Sequence, residues 1–141
     1  MAKAPAAHIP EPSWAALLMD RAERDRAKAH WRRVTGEMAE RETLAPSNGH
    51  ALQRLVLAYI VYDRCSKLVA QLGVVTEPAA DNPKAIARLS AHYKAMSEAE
   101  KTAERLEAQL GLSPQRRGKV GKVVKKRERS AGADAFLGPK G

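Results

Sequence analysis

The sequence predicts an all-α fold, and both its composition and its periodicity support that prediction. Alanine accounts for 26 of the 141 residues, whereas Val, Ile and Thr together account for only 16 and are scattered rather than alternating. Alanine favours helix, and β-branched residues favour strands. Three stretches also place apolar residues in steps of three and four, which is the spacing of one helix face. These observations argue against a β-sandwich or a βαβ nucleotide-binding fold, and the length corresponds to one domain.

The first predicted helix spans about residues 13–41. It follows a turn at Pro10 and Pro12, and Ser13 is the candidate N-cap because its hydroxyl can accept a hydrogen bond from the first-turn amides. Gly36 lowers helix stability by about 1 kcal/mol relative to Ala, so we expect a kink or an early end near it. The apolar positions of this helix are Trp14, Leu17, Leu18, Ala27, Trp31, Val34 and Met38.

The second predicted helix spans about residues 49–72. A turn from Leu44 to Gly49 precedes it, and Gly73 is a natural stop. The segment is apolar on nearly all sides, and such a helix is buried on several sides. In a chain with only two other long helices, this pattern points to packing against other subunits. A buried strand over Leu55–Tyr62 is the competing interpretation, although no partner strand is evident.

The third predicted helix spans about residues 82–110, with Asp81 or Asn82 as its cap and Pro83 in its first turn. Its apolar stripe is narrow and has charged flanks, which suits the seam of a helical hairpin or coiled coil and equally an ordinary amphipathic core helix. Helices of this length make an elongated hairpin, and such shapes usually assemble. The candidate oligomerisation residues are Leu55, Tyr59, Tyr62, Leu89, Tyr93, Met96, Leu106 and Leu110.

The positive charge is concentrated at the C-terminal end. Residues 115–141 hold nine Lys or Arg and two acids, for a net charge of +7, whereas residues 1–114 carry only +2. A dense run of one sign predicts a flexible tail that binds a polyanion, with nucleic acid favoured over lipid because large apolar anchors are lacking. Its cations are Arg116, Arg117, Lys119, Lys122, Lys125, Lys126, Arg127 and Arg129.

A second candidate nucleic-acid surface lies on the first helix. Its cations include Arg24, Lys28, Arg32 and Arg33. Acidic neighbours dilute this charge, and pairs such as Asp20 with Arg24 would make it an ordinary solvated helix face instead. We leave both interpretations open.

The stretch Leu110–Arg117 forms a corner in which Gly111 ends the third helix and Ser113 caps a new turn. This corner resembles that of phage terminase small subunits, a family whose last long helix ends in aromatic-Gly-Leu-Thr-Pro-x-x-Arg. Leu110 stands where the family more often has Phe, and Ala45–Asn48 replaces its common Thr-x-x-Asp. Other matching features are Pro10 and Pro12, Trp31, Leu44, Tyr59, Gly73 and the pair Asn82-Pro83.

The resemblance implies a function and an assembly. Such proteins bind double-stranded viral DNA at the start of genome packaging, form homo-oligomeric rings of about nine subunits, and recruit and regulate the large terminase subunit, which carries the ATPase and nuclease. It also implies a location in the host cytoplasm. We therefore expect a disordered arm over 1–12, a helical oligomerisation and DNA-packaging domain over 13–120, with a short turn or helix near 113–120, and a flexible basic tail over 121–141.

Two other classes of function remain open at this point. One is a purely structural assembly protein whose tail serves another protein or RNA. The other is a transcriptional regulator, although the linker between Arg41 and Gly49 is longer than the turn of a standard helix-turn-helix.

The sequence predicts no catalysis, no cofactor and no metal site. The Gly-Lys pairs at 118–119 and 121–122 are each followed by Val, so neither forms a phosphate-binding loop. The four histidines are far apart, and Cys65 has no His near it in sequence. A single cysteine excludes a disulfide framework and fits a reducing compartment. The longest apolar run has eight residues, so we expect no membrane span, and no signal peptide is recognisable.

Overall fold

The computed structural model describes residues 8–82 and 84–113. Within these ranges the chain is mostly helical, as predicted, with two short strands. The elements are α1 (Trp14–Leu17), α2 (Arg21–Glu40), α3 (Gly49–Leu72), β1 (Val75–Thr76), β2 (Arg88–Leu89) and α4 (Ala91–Gln109). The predicted tail over 121–141 and all but the first residue of the predicted turn or helix near 113–120 lie outside the described residues.

The first predicted helix, over 13–41, is broken in two. Asp20 caps α2 by accepting a hydrogen bond from the Ala22 amide at 3.0 Å. The Arg24 guanidinium reaches back and donates to the carbonyl oxygens of Leu18 at 2.7 Å and Met19 at 3.0 Å. These bonds satisfy carbonyls that a continuous helix would have used, so the break is stable. The helix α2 continues through Gly36 to Glu40, and the expected early end does not occur.

The break lets α1 fold back onto α2. The Trp14 and Trp31 rings meet edge to face, with centroids 6.0 Å apart. Trp14 also donates through Nε1 to Glu11 Oε1 at 2.9 Å, and Ile9 is buried in the core. Residues from before the first predicted helix therefore contribute to packing.

The second predicted helix is correct at both ends, because α3 runs from Gly49 to Leu72. The competing strand over Leu55–Tyr62 does not form. Gly73 ends the helix with φ +87°, a conformation that favours glycine. The helix lies between α2 and α4, and this position buries Leu52, Leu55, Val56 and Ile60 completely. The chain itself thus covers α3 on two sides, and its apolar composition does not require neighbouring subunits.

The third predicted helix, over 82–110, begins nine residues later than expected. An antiparallel pair of strands occupies the interval, with Val75 opposite Leu89 and Thr76 opposite Arg88. Asn82 lies in a turn, where its carbonyl accepts from the Ala85 amide at 3.1 Å. The cap of α4 is Ser90, whose hydroxyl accepts from the Tyr93 amide at 3.0 Å. The sequence Asn-Pro is compatible with a turn and with the start of a helix. Here the pairing of β1 with β2 leaves the intervening residues to form the turn.

The helix α4 packs along α3 as an antiparallel hairpin and ends at Gln109, followed by Leu110 as its C-cap and by Gly111 with φ +71°. The Leu112 amide donates back to the Glu107 carbonyl at 2.8 Å, and Leu112 packs on the core. Gly111 therefore ends this helix, as the sequence predicted. The chain leaves the described region at Ser113, close to the Glu107 end of α4.

Candidate functional site

An acidic groove runs between α3 and α4. Its volume is about 320 Å³. We call this surface the acidic groove, and its lining residues are Tyr59, Tyr62, Glu100, Ala103, Glu104 and Glu107. The three glutamates are four and three residues apart, so they share one face of α4. Glu100 and Glu104 are exposed, whereas Glu107 is partly buried.

Tyr59 joins the two walls of the acidic groove. Its hydroxyl donates to Glu107 Oε1 at 3.1 Å. Burial, followed by the negative charge of Glu107 and this hydrogen bond, raises the pKa of Tyr59 from 10.0 to about 12. All three effects favour the neutral phenol, because ionisation would place a second negative charge beside a carboxylate in a partly dry site.

One flank of α2 packs against Tyr59, beside the acidic groove. The His30 and Tyr59 ring centroids are 4.9 Å apart, and His30 Nε2 lies 3.4 Å from Asp63 Oδ2. The Arg33 guanidinium sits over the Tyr59 ring, 5.6 Å from its centroid. Tyr59 therefore already holds one cation against its ring, an arrangement that is attractive in itself.

The opposite flank of α2 carries a second charged surface. Arg21, Lys28 and Arg32 are exposed and lie seven and four residues apart, which places them on one helix face. We call these three residues the basic row; Asp25 lies beside it. The sequence grouped Arg24 and Arg33 with Lys28 and Arg32 as DNA-binding candidates. Arg24 lies beside Arg21 and Lys28, but its guanidinium donates to backbone carbonyls. Arg33 lies on the other flank, over Tyr59. The larger candidate set, Arg116 to Arg129, lies outside the described residues.

The predicted oligomerisation residues do not form one surface. Leu55, Leu106 and Leu110 lie in the core of the subunit. Tyr59 and Tyr62 line the acidic groove. Tyr93 and Met96 are partly buried on α4, and Leu89 is 48% exposed on the strand pair. Two separate places therefore remain accessible to a neighbouring chain. One is the acidic groove, and the other is the stretch from Leu89 to Met96.

A second, apolar groove lies elsewhere between α3 and α4. Leu57, Val61 and Ala95 contribute to it, with Arg54 and Glu98 among the polar lining residues. Further exposed apolar side chains lie at the end of α3 and in the segment that leads to α4: Leu72, Val74, Val75, Ile86 and Leu89. Both surfaces are unpartnered within the described chain.

Sequence reasoning missed the acidic groove, although a signal was present. Glu100, Glu104 and Glu107 were interpreted only as charged flanks of the third helix. Their spacing already places three carboxylates on one helix face. The facing tyrosines, Tyr59 and Tyr62, are among the predicted oligomerisation residues, and only the packing of α3 against α4 brings the two sets together.

The described residues contain no centre for metal chemistry. Within residues 8–82 and 84–113, no group of three or more His, Cys, Asp or Glu side chains is placed so that it could hold a metal ion. Cys65 is buried as a free thiol in α3. None of the described helices is long and apolar enough to cross a membrane.

The comparison with protein families shows what most of the chain is similar to. The family described as "Phage terminase, small subunit" matches residues 27–127, which is more than two thirds of the chain. The matched range includes most of α2, the whole of α3 and α4, and most of the basic run that follows. No curated protein and no solved structure matches the chain. The chain belongs to the phage terminase small-subunit family.

Proposed function

We propose that this protein is a non-catalytic adaptor that binds viral DNA, initiates genome packaging and recruits and regulates the large terminase subunit in the host cytoplasm. Membership of the family implies a role in phage DNA packaging, and this membership is the observation that carries the proposal. Small subunits are generally packaging adaptors without catalysis of their own.

The proposed DNA contact is the basic run from Arg116 to Arg129. It holds eight cations and one acid, Glu128, in fourteen residues. The run has no aromatic side chains for stacking on bases, so its contacts are with phosphates. Such binding releases counterions and weakens steeply with salt.

The proposed working form is a homo-oligomeric ring of about nine subunits. A ring repeats the basic run once per subunit, and simultaneous engagement of several copies raises the effective affinity for a long polyanion. Weak contacts by each chain therefore suffice for firm binding by the assembly.

Deletion of residues 115–141 tests the DNA contact. The matched control is deletion of residues 130–141 alone, which removes one Lys and one Asp and leaves the net charge unchanged. We expect the longer deletion to lower affinity for duplex DNA by more than about a hundredfold at low salt and to flatten the dependence of log affinity on log salt. The control should bind like the full chain.

Retention of full DNA affinity by the longer deletion would contradict the assignment of the basic run. A second comparison replaces the four arginines of the run with lysine. This variant should keep most of the affinity, because a phosphate contact needs the charge rather than the guanidinium shape.

A further inference from the structure

We propose that the acidic groove of one subunit receives the basic row of a neighbouring copy of this chain. The proposal rests on the oligomeric ring proposed above and specifies the contact that builds it. It gives the exposed cations of α2 a role in assembly rather than in DNA binding.

Two of the three carboxylates in the acidic groove have no ion-pair partner within the described residues. Glu100 and Glu104 are exposed on α4, and neither forms an ion pair within residues 8–82 and 84–113. Glu107 differs, because it accepts the Tyr59 hydroxyl. The walls therefore offer two unpaired carboxylates beside two tyrosine rings.

The groove also has the chemistry of a cation site. Arg33 already stacks over the ring of Tyr59, one of the groove residues, 5.6 Å from its centroid. Tyr62, which is 37% exposed, presents another ring farther along α3. An ammonium or guanidinium group that enters there meets a ring and a carboxylate together.

The basic row matches the groove in charge and in spacing. Lys28 and Arg32 are four residues apart on α2, and Glu100 and Glu104 are four residues apart on α4. Both pairs are therefore separated by about 6 Å along their helix axes. Two helices laid side by side can form both ion pairs at once, with Arg21 extending the positive side by two further turns.

The row of a given chain cannot enter the groove of that same chain. The buried stripe of α2, which includes Ala27, Trp31 and Val34, faces the protein core. Arg33 lies on the flank of this stripe that meets Tyr59, and the helical spacing places the basic row on the other flank. Two different faces of one chain that fit each other make a head-to-tail contact, and such contacts build a ring when the rotation between successive copies closes.

Charge reversal on each face tests the proposal. The groove variant is Glu100→Lys/Glu104→Lys, and the row variant is Lys28→Glu/Arg32→Glu. Native mass spectrometry and light scattering over a dilution series measure the concentration at which each assembly dissociates. We expect each variant to raise that concentration at least about tenfold, because like charges then face each other. The variant carrying both changes should return to within about threefold of the unchanged chain.

Mixing sharpens the test. The groove variant has two positive faces and the row variant two negative faces, so each assembles more weakly alone than with the other. An equimolar mixture should form mixed oligomers in which the two chains alternate, and these oligomers should contain an even number of subunits, because an alternating ring of nine cannot close. The control Glu40→Lys/Glu77→Lys makes the same charge change as the groove variant at exposed positions outside the groove, and it should assemble like the unchanged chain.

Three outcomes would overturn the proposal. The groove variant could assemble normally, the combined variant could remain as dissociated as either parent, or the mixture could stay unassembled. If the groove variant keeps its subunit number and only its DNA affinity changes beyond that of the control, the groove instead holds the chain's own basic run. Circular dichroism verifies that each variant folds. If the groove variant does not fold, the row variant tests the same contact, because Lys28 and Arg32 are exposed. A monomeric unchanged chain at micromolar concentration would refute the proposed ring, which is a separate result.

Discussion

Glu23 on α2 and Arg64 on α3 form an ion pair through two parallel hydrogen bonds. Arg64 Nε donates to Glu23 Oε2 at 2.8 Å, and Arg64 Nη2 donates to Glu23 Oε1 at 2.9 Å. The Glu23 side chain is only 8% exposed, whereas that of Arg64 is 48% exposed. The hydrogen bonds to Glu23 raise the pKa of Arg64 above its ordinary value. The buried Glu23 carboxylate is thus paired with a half-exposed cation, which lies between it and the solvent at the contact of α2 with α3.

Arg64→Ala should lower the free energy of unfolding by about 2 kcal/mol, because it leaves a buried carboxylate without its partner. Chemical denaturation followed by circular dichroism measures the change. Arg54→Ala removes an exposed arginine from the same helix and should change stability by less than about 0.5 kcal/mol. In a double-mutant cycle, Glu23→Ala with Arg64→Ala should cost less than the sum of the single changes. Additive losses would show that the pair contributes no coupling.

Tyr59 should make stability fall at alkaline pH. Its pKa is about 12 in the folded chain, against an ordinary value of 10.0. The unfolded chain therefore releases the phenol proton at lower pH than the folded chain does, and the folded state loses stability as pH rises from about 10 through about 12. Below pH 10 the contribution is fully present. The absorbance of the ionised phenol follows the titration, and denaturation at each pH measures stability.

The matched variants for this prediction are Tyr59→Phe and Tyr62→Phe. Tyr59→Phe should abolish the latest phenol ionisation, flatten the alkaline fall and cost about 1 kcal/mol at neutral pH for the lost bond to Glu107. Tyr62→Phe should leave the alkaline step in place. An unchanged pH profile in Tyr59→Phe would assign the step to another group.

Two glycine-to-alanine changes should shift stability in opposite directions. Gly36 lies inside α2 with nothing within 4 Å of an added Cβ, so Gly36→Ala should raise the free energy of unfolding by about 0.5–1 kcal/mol. Gly73 also has open space, but its φ of +87° and ψ of 171° are available almost only to glycine. Gly73→Ala should therefore lower stability by about 1–3 kcal/mol. Thermal and chemical denaturation measure the change in stability of each variant. If Gly36→Ala and Gly73→Ala changed stability equally, backbone conformation would not determine the effect of the substitution.

Local signals in the sequence predicted α3 fully and the other helices in part. The turn residues before Gly49 and the glycine with positive φ after Leu72, Gly73, each act within a few residues of the end of α3 that they determine. The break after α1 depends instead on Arg24 reaching back to the Leu18 carbonyl. The apolar pattern has a gap between Leu18 and Ala27, but a charged stretch does not by itself end a helix. The start of α4 depends on Val75 pairing with Leu89, a contact between distant residues that no local pattern encodes.

The same distinction applies to the candidate surfaces. The basic run after Ser113 is visible in the sequence because charge density is a local property. Leu106 and Leu110 were predicted to join subunits, yet they lie in the core, because a helical stripe does not reveal which neighbour covers it. The acidic groove needs Tyr59 and Glu107, which are 48 residues apart, to be brought together by the α3–α4 hairpin.

The central claim is that the chain works as a closed oligomer in DNA packaging. Native mass spectrometry of the full chain at micromolar concentration tests it most directly. The account predicts one dominant species of about nine subunits, or about 140 kDa for a chain of 15.4 kDa, which persists when viral DNA is added. A monomer under the same conditions, with or without DNA, would contradict the account.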